Sequence, residues 1–446
     1  MNTRIFYALT IVFCTMCSFT KAEDEVWPIM RMASDENNLY LATEEHGLVI
    51  VDKETGKQTF FNEDNGKIRH NHLRDVQVNG NMLALAGGYT RDGYAIHFLW
   101  NDWVELLDLE AGSSVTIHVD ENELSDCYAP KYQLSKWPLF TGNGYWPRVF
   151  FDQNHEHCLW YTVYDTWAVL YDYQNEKVEY ISYPLTSETI YSFSREMISD
   201  FRYDQDGALW ISGGVLQDDK GDWRGYLYKL TDEIAHENVY GAESYFYNKE
   251  GTRVVPETSS CMAIDGKGNI WYARTGYEDE VYKFDGNDQW QLVFDGNDIG
   301  FKDEGNTYYY IRDLETDASG NVWLLTENML YRITDHDELV ECPCPYETGN
   351  KRSILIDGDI VYMATDKGLF KYEDEVFSMI KVPSAADIGI REVNEGGGTA
   401  SCRVYRADGV QVASPQKGVN IFKPSKGKTV LLGQKKKKHL KSCVSR

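Results

Sequence analysis

The chain has 446 residues, 42% hydrophobic and 14% aromatic, enough to bury a large core and too apolar for a disordered polypeptide. Its formal net charge of −26 excludes a general nucleic-acid or anionic-membrane binder, because such a surface repels both at long range. Nine cysteines occur without a C-x-x-C pair, so neither a disulfide framework nor a zinc ribbon is indicated, and no metal or cofactor is expected.

Residues 1–22 combine Arg4, an apolar run of signal-peptide length and Thr20-Lys21-Ala22 as a cleavage site. They are read as a secretory signal, with lipidation at Cys14 or Cys17 as an alternative. No later stretch is apolar for the roughly 20 residues a spanning helix needs, so no transmembrane segment is expected once the signal is removed. The predicted location is exported: periplasm, cell surface or extracellular.

Residues 23–381 repeat one pattern seven times, in segments that begin at Ile29, Leu73, Arg148, Ile198, Ser260, Ile311 and Ser353. Each segment parses as four short strands separated by turn signals. Gly207, Gly268 and Gly320 sit where a tight turn between first and second strands needs positive φ, with Asp and Asn beside them to satisfy turn backbone. The second strand opens on Tyr40, Leu83, Trp160, Trp210, Trp271, Trp323 or Tyr362, about 54 residues apart on average. Those side chains are expected to wedge between neighbouring repeats, each stabilising by about 2–3 kcal/mol through apolar burial. The predicted fold is all-β, a seven-bladed β-propeller followed by a small β-sandwich-like module.

L-W-I-S at Leu209 to Ser212, preceded by D-Q-D-G, and L-A-T-x-x-x-G-L at Leu41 to Leu48 resemble the two-component regulator propeller repeats of exported sensor domains, common in hybrid histidine kinases of gut Bacteroidetes. The resemblance implies a ligand-sensing propeller, although no kinase segment follows in this sequence. D-x-x-G-N-I-W at Asp265 to Trp271 also looks like the strands of propeller lyases, in the turn and wedge alone.

Residues 382–399 read as a small-residue, glycine-rich linker. Residues 400–434 read as a β-module with Asp408-Gly409 as a hairpin turn. Their V-Y-x-x-x-G-x-x-V and K-G-V-N-I pattern resembles the sorting domain read by the type IX secretion system, which implies the secretion machinery as a partner. Residues 435–446 form a basic tail. Over residues 382–446 there are 13 Lys/Arg against 4 Asp/Glu, so the repeats are more acidic than the whole chain.

In a four-stranded meander, loops between second and third strands and connections between repeats lie on one face. Extra length concentrates there, at Gly87 to Gly93, Gly213 to Gly225, 108–147, 183–197 and 239–258, with one exception around Ile234 to Tyr240. Long loops on a rigid scaffold are where binding usually sits. This face is therefore expected to bind a glycan or peptide through Arg91, Trp137, Trp146, Arg148, Trp223, Arg224, Arg274 and Tyr277, because aromatic faces stack on sugars and guanidinium forks grip hydroxyls or carboxylates. A second recurrence places Arg74-Asp75, Ser199-Asp200 and Arg312-Asp313 near the start of first strands. Asp75, Asp200 and Asp313 there either ring the channel mouth around a cation or tie one blade to the next through backbone N–H groups. Linear catalytic signatures are absent. His70, His72, Glu243 and Glu257 are the candidates for acid–base work if the scaffold is a polysaccharide-active hydrolase or lyase. An envelope interaction scaffold is the third reading.

Overall fold

The computed structural model describes residues 26–89, 100–117, 148–163, 167–182, 196–215, 224–230, 243–244, 259–274, 279–286, 290–300, 311–383, 402–406, 411–412, 419–424 and 430–433. The chain divides into two compact units, one of residues 27–382 and one of residues 1–26 with 383–446.

Alternating apolar residues and tight turns fold the larger unit into seven four-stranded antiparallel sheets, each an up-and-down meander. Sheet 1 comprises Ile29–Ser34, Asn38–Thr43, Leu48–Asp52 and Gln58–Phe61; sheet 2 comprises Leu73–Asn79, Met82–Tyr89, Trp100–Asp108 and Ser113–Ile117. Sheet 3 comprises Val149–Phe151, Cys158–Val163, Trp167–Asp172 and Lys177–Ser182; sheet 4 comprises Glu196–Tyr203, Leu209–Val215, Arg224–Leu230 and Glu243–Ser244. Sheet 5 comprises Ser259–Ile264, Ile270–Arg274, Glu280–Phe284 and Trp290–Phe294; sheet 6 comprises Ile311–Thr316, Val322–Thr326, Leu330–Ile333 and Leu339–Cys342. Sheet 7 comprises Lys351–Asp357, Ile360–Thr365, Gly368–Glu373 and Val376–Ile380. Among the described residues the one helical turn is Glu63–Asn65, capped by the Asn62 side chain.

First strands touch one another in sequence, sheet 1 to 2, 2 to 3, 4 to 5, 5 to 6, 6 to 7 and 7 back to 1, while side chains of sheet 3 bridge to sheet 4. The first strands therefore line a central axis, as the propeller reading requires. Each sheet draws its strands from one continuous segment, so no strand is shared across the closure. Instead, sheets 1 and 7 meet in an apolar seam of Ile29, Leu41, Val49, Tyr362, Leu369 and Val382. The Trp27 N–H donates to Val382 O at 2.8 Å, Gln58 Nε2 to Lys381 O at 2.7 Å, and Ser353 Oγ to Met30 O at 3.0 Å.

The turn and wedge act as one device. Gly207, Gly268 and Gly320 adopt φ of 82°, 82° and 85°, the left-handed region the turn needs. The turn Asp uses one carboxylate oxygen on backbone and the other on the wedge. Trp210 Nε1 donates to Asp204 Oδ2 at 2.8 Å, Trp271 Nε1 to Asp265 Oδ2 at 3.1 Å and Trp323 Nε1 to Asp317 Oδ2 at 2.9 Å. Trp160 does the same to Asp152 Oδ2 at 2.6 Å, and the Tyr40 hydroxyl to Asp35 Oδ2 at 2.5 Å. The indoles are buried against the following sheet: Trp210 beside Met262 and Ile270, Trp271 beside Leu314 and Val322, Trp323 beside Ile354 and Val361.

Sheet 2 departs from the expected pattern. Strand register places each wedge opposite one position of the first strand, as in Trp210 opposite Arg202 and Trp323 opposite Glu315. In sheet 2 the equivalent pair is Gln77 and Ala84, whereas Leu83 packs on the sheet 1 side with Tyr40. Leu83 is thus one residue out of phase, and a one-residue shift in a strand reverses the face a side chain occupies.

The smaller unit contains one four-stranded antiparallel sheet among the described residues, where a sandwich-like module was expected. Cys402–Arg406 lies between Gln411–Val412 and Val419–Pro424, and Val430–Gly433 pairs with Val419–Pro424.

Candidate binding face and the charged ring at its base

Six of the seven first strands carry a register shift at the same place, ending on Arg31, Asp75, Asp200, Cys261, Asp313 and Ser353. In sheet 3 the residue at this level is Arg148, just ahead of Val149. A bulge frees one residue from pairing and re-aims its side chain. Read around the ring, the seven positions are Arg, Asp, Arg, Asp, Cys, Asp and Ser.

The three Asp carboxylates fasten sheets together. Asp75 accepts from the Val76 N–H at 2.9 Å and from the Val149 N–H of sheet 3 at 3.1 Å. Asp200 accepts from Phe201 at 2.9 Å and from Met262 of sheet 5 at 3.1 Å; Asp313 accepts from Leu314 at 3.1 Å and from Ile354 of sheet 7 at 3.0 Å. All three are fully buried or nearly so. Of the two roles expected for them, the geometry is that of the inter-blade tie, and their oxygens are spent on N–H donors rather than on an open cation site. Among the described residues no group of three or more His, Cys, Asp or Glu is placed to hold a metal ion.

Guanidinium groups complete the ring. Arg148 Nε lies 3.2 Å from Asp75 Oδ2 and its Nη2 3.0 Å from Asp200 Oδ1, while Nη1 donates to Ser199 O at 3.4 Å. Arg202 donates to Asp200 at 3.0 Å and to Glu315 at 2.7 Å, and Arg31 donates to Asp313 at 3.2 Å. Burial alone raises the Asp200 carboxyl, but Arg202 and Arg148 outweigh it and hold the group below the ordinary carboxylate range. Glu315 goes the other way. Burial raises it, Arg202 opposes, Asp313 and Asp200 add to the rise, and the carboxyl is pushed up to about 7.

At the start of the first strands, a further set of charges meets the turns that follow the second strands. Arg74 Nη1 pairs with Glu44 at 3.0 Å, Arg352 with Asp366 at 2.8 Å, and Arg312 with Glu327 at 3.5 Å. Each acid directly follows a Thr whose hydroxyl closes the turn: Thr43 donates to Gly47 O, Thr326 to Met329 O and Thr365 to Gly368 O. That explains the L-A-T-x-x-x-G-L spacing, in which Thr, acid and glycine build one tight turn. In the R-D dipeptides the Asp ties the sheets, and the Arg beside it reaches this end of the ring.

The remaining sequence candidates fall in several places. Arg148 is buried in the ring, so it is withdrawn from the loop surface expected for it. Arg274 ends a second strand at the loop-rich end and donates to Glu280 at 2.7 Å, which also accepts from the Tyr282 hydroxyl at 2.7 Å. Burial and Glu280 push the Tyr282 hydroxyl up to about 12. Arg224 opens the third strand of sheet 4, opposite Val215. Arg91, Trp137, Trp146, Trp223 and Tyr277 lie outside the described residues. His70 and His72 are half-buried on the connection from sheet 1 to sheet 2, Glu243 sits on the outer strand of sheet 4, and Glu257 lies outside the described residues. The topology thus separates the described acid–base candidates by strand and sheet rather than gathering them.

No known family's sequence profile matches the chain, and no curated protein matches it. Solved structures of similar fold include virginiamycin B lyase from Staphylococcus aureus, with a TM-score of 0.51 at 9% identity over 78% of this chain and 95% of that one. A streptogramin B lyase gives 0.50 at 11% identity over 81% and 96%. PorZ, a bacterial surface component of the type IX secretion system of Porphyromonas gingivalis, gives 0.50 at 11% identity over 92% of this chain and 45% of that one. All are β-propellers, and likeness at these identities carries the fold alone.

Proposed function

We propose that the protein is an exported, non-catalytic β-propeller that binds a glycan or peptide at the loop-rich end of the ring. The observation that carries this reading is the collection of long connections at one end: 90–99, 118–148, 183–195, 216–223, 245–258 and 295–310 all join strands there. The opposite end has short turns, apart from 231–242. The buried acids nearest the axis are committed to N–H donors and guanidinium groups, which favours a scaffold role for them over proton transfer. Arg91, Trp137, Trp146, Trp223, Arg224, Arg274 and Tyr277 are the proposed contacts. No helix among the described residues is long and apolar enough to cross a membrane. Export and recognition by a secretion machinery rest on the residue 1–22 and 400–434 sequence patterns.

A glycan array probed with the protein from residue 23 onward, read for retention and for substrate loss, tests the proposal. Retention without loss, abolished by W223A/R224A, is the expected result. Substrate loss would instead assign a hydrolase or lyase on this scaffold, and blank arrays would sink the glycan reading.

A further inference from the structure

Three guanidinium groups occupy one level of the ring at its loop-rich end. Arg74, Arg312 and Arg352 are each the second residue of a first strand and the residue skipped by the register shift, in sheets 2, 6 and 7. Sheet 7 adjoins sheet 6 and, across the closure, sheet 1, so Arg352 stands between the other two. Like charges so placed repel. Burial lowers the Arg74 and Arg312 guanidinium groups below their ordinary value, and although Glu44 and Glu45 oppose this at Arg74 and Glu327, Asp279 and Asp366 at Arg312, the Arg352 charge adds to it in both cases.

Two arginines of this arc, Arg312 and Arg352, hold their acids by few contacts. Among the described residues Arg312 has one ion-pair partner, Glu327 at 3.5 Å, with Asp279 and Asp366 acting on it from further away, and its Nε is buried without an acceptor. Arg352 directs Nε and Nη2 at one oxygen of Asp366, both at 2.8 Å. The side chains of Arg312 and Arg352 are 27% and 25% exposed, so both are reachable. A buried guanidinium N–H without an acceptor is costly, and a planar oxyanion is the partner its fork fits. An overall charge of −26 makes this clustering of cations harder to explain as general surface chemistry.

We infer that the ring mouth at its loop-rich end binds an oxyanion group of the ligand, a uronate carboxylate or a sulfate ester of an acidic glycan, through Arg312 and Arg352 with Arg74 beside them. This deepens the proposed glycan-binding role and rests on it. The two sources of the oxyanion share the same recognition and differ in geometry, since a carboxylate matches the guanidinium fork in its plane and a sulfate is tetrahedral.

Calorimetric titration of the protein with an oligogalacturonate, a sulfated galactan oligomer and a neutral galactan oligomer separates the cases. Acidic oligomers should bind, the neutral one at least tenfold more weakly. R312Q and R352Q should each weaken acidic binding about tenfold, the worth of one charge-assisted hydrogen bond, while K177Q, on the outer strand of sheet 3, should leave it unchanged. Melting temperatures close to wild type would establish that the variants fold, and the preference of the unaltered protein for acidic over neutral oligomers tests the inference without them. Acidic and neutral oligomers bound equally, or acidic binding untouched by both arginine variants, would overturn the anion site and leave the glycan reading standing. Failure of all three oligomers to bind would overturn both.

Discussion

Asp200 accepts hydrogen bonds from four groups: the Phe201 and Met262 N–H groups, Arg148 and Arg202. Its removal would leave two buried guanidinium groups short of their carboxylate. Breaking one side of a buried ion pair costs about 3–5 kcal/mol, so D200A should lower the urea midpoint sharply, whereas R312Q should shift it little. Glu315 yields a pH prediction of definite sign. Its folded carboxyl is pushed up to about 7 from its ordinary 4.5, so the folded state holds a proton that the unfolded state has released between those values. Stability should therefore fall as pH rises from about 4.5 to 7 and then level off. E315Q should flatten that slope and be relatively more stable at pH 8, as read from denaturation midpoints across the range. The two R-D pairs and Ser199-Asp200 made three of the ring's seven positions visible in the sequence. Arg148 was not, because its partners Asp75 and Asp200 are 73 and 52 residues away.

At the scale of a strand pair, the D-x-x-G-N-x-W unit couples a turn to the seam between sheets. W323A should cost about 3–5 kcal/mol through lost burial. D317A leaves the buried indole N–H unsatisfied and removes the turn's acceptor, for about 1–3 kcal/mol. A double-mutant cycle should show the two losses to be less than additive, since both mutants break the same hydrogen bond; strict additivity in urea unfolding would show the link to be energetically idle. The turn and the wedge were each legible in sequence as spacing, glycine and aromatic. Their mutual bond was not, because an Asp six residues before a Trp satisfies backbone equally well in either reading. Sheet 2 shows the limit of pattern reading: Asn79-Gly80-Asn81 turns the chain without an Asp–Trp pair, and nothing local distinguishes Leu83 from Ala84 as the residue facing sheet 3.

For the whole molecule, the repeat count and the loop-rich end followed from periodicity and strand parity, which are local properties. The cationic arc at the mouth did not, because Arg74, Arg312 and Arg352 are brought to one level only when sheet 7 meets sheet 1. That closure is made by apolar packing, an ion pair of Lys53 with Asp357 and hydrogen bonds rather than by a strand contributed from the far end of the chain. The backbone at Trp27 and Val382 is already within hydrogen-bonding distance, so a short linker can join these positions and the chain can be opened elsewhere. Circular permutants that begin in a long connection, such as between Ser182 and Glu196, should fold with the circular-dichroism spectrum of the parent, since every sheet stays whole. The order of the sheets around the axis, and not the place where the chain is cut, is what the ring depends on.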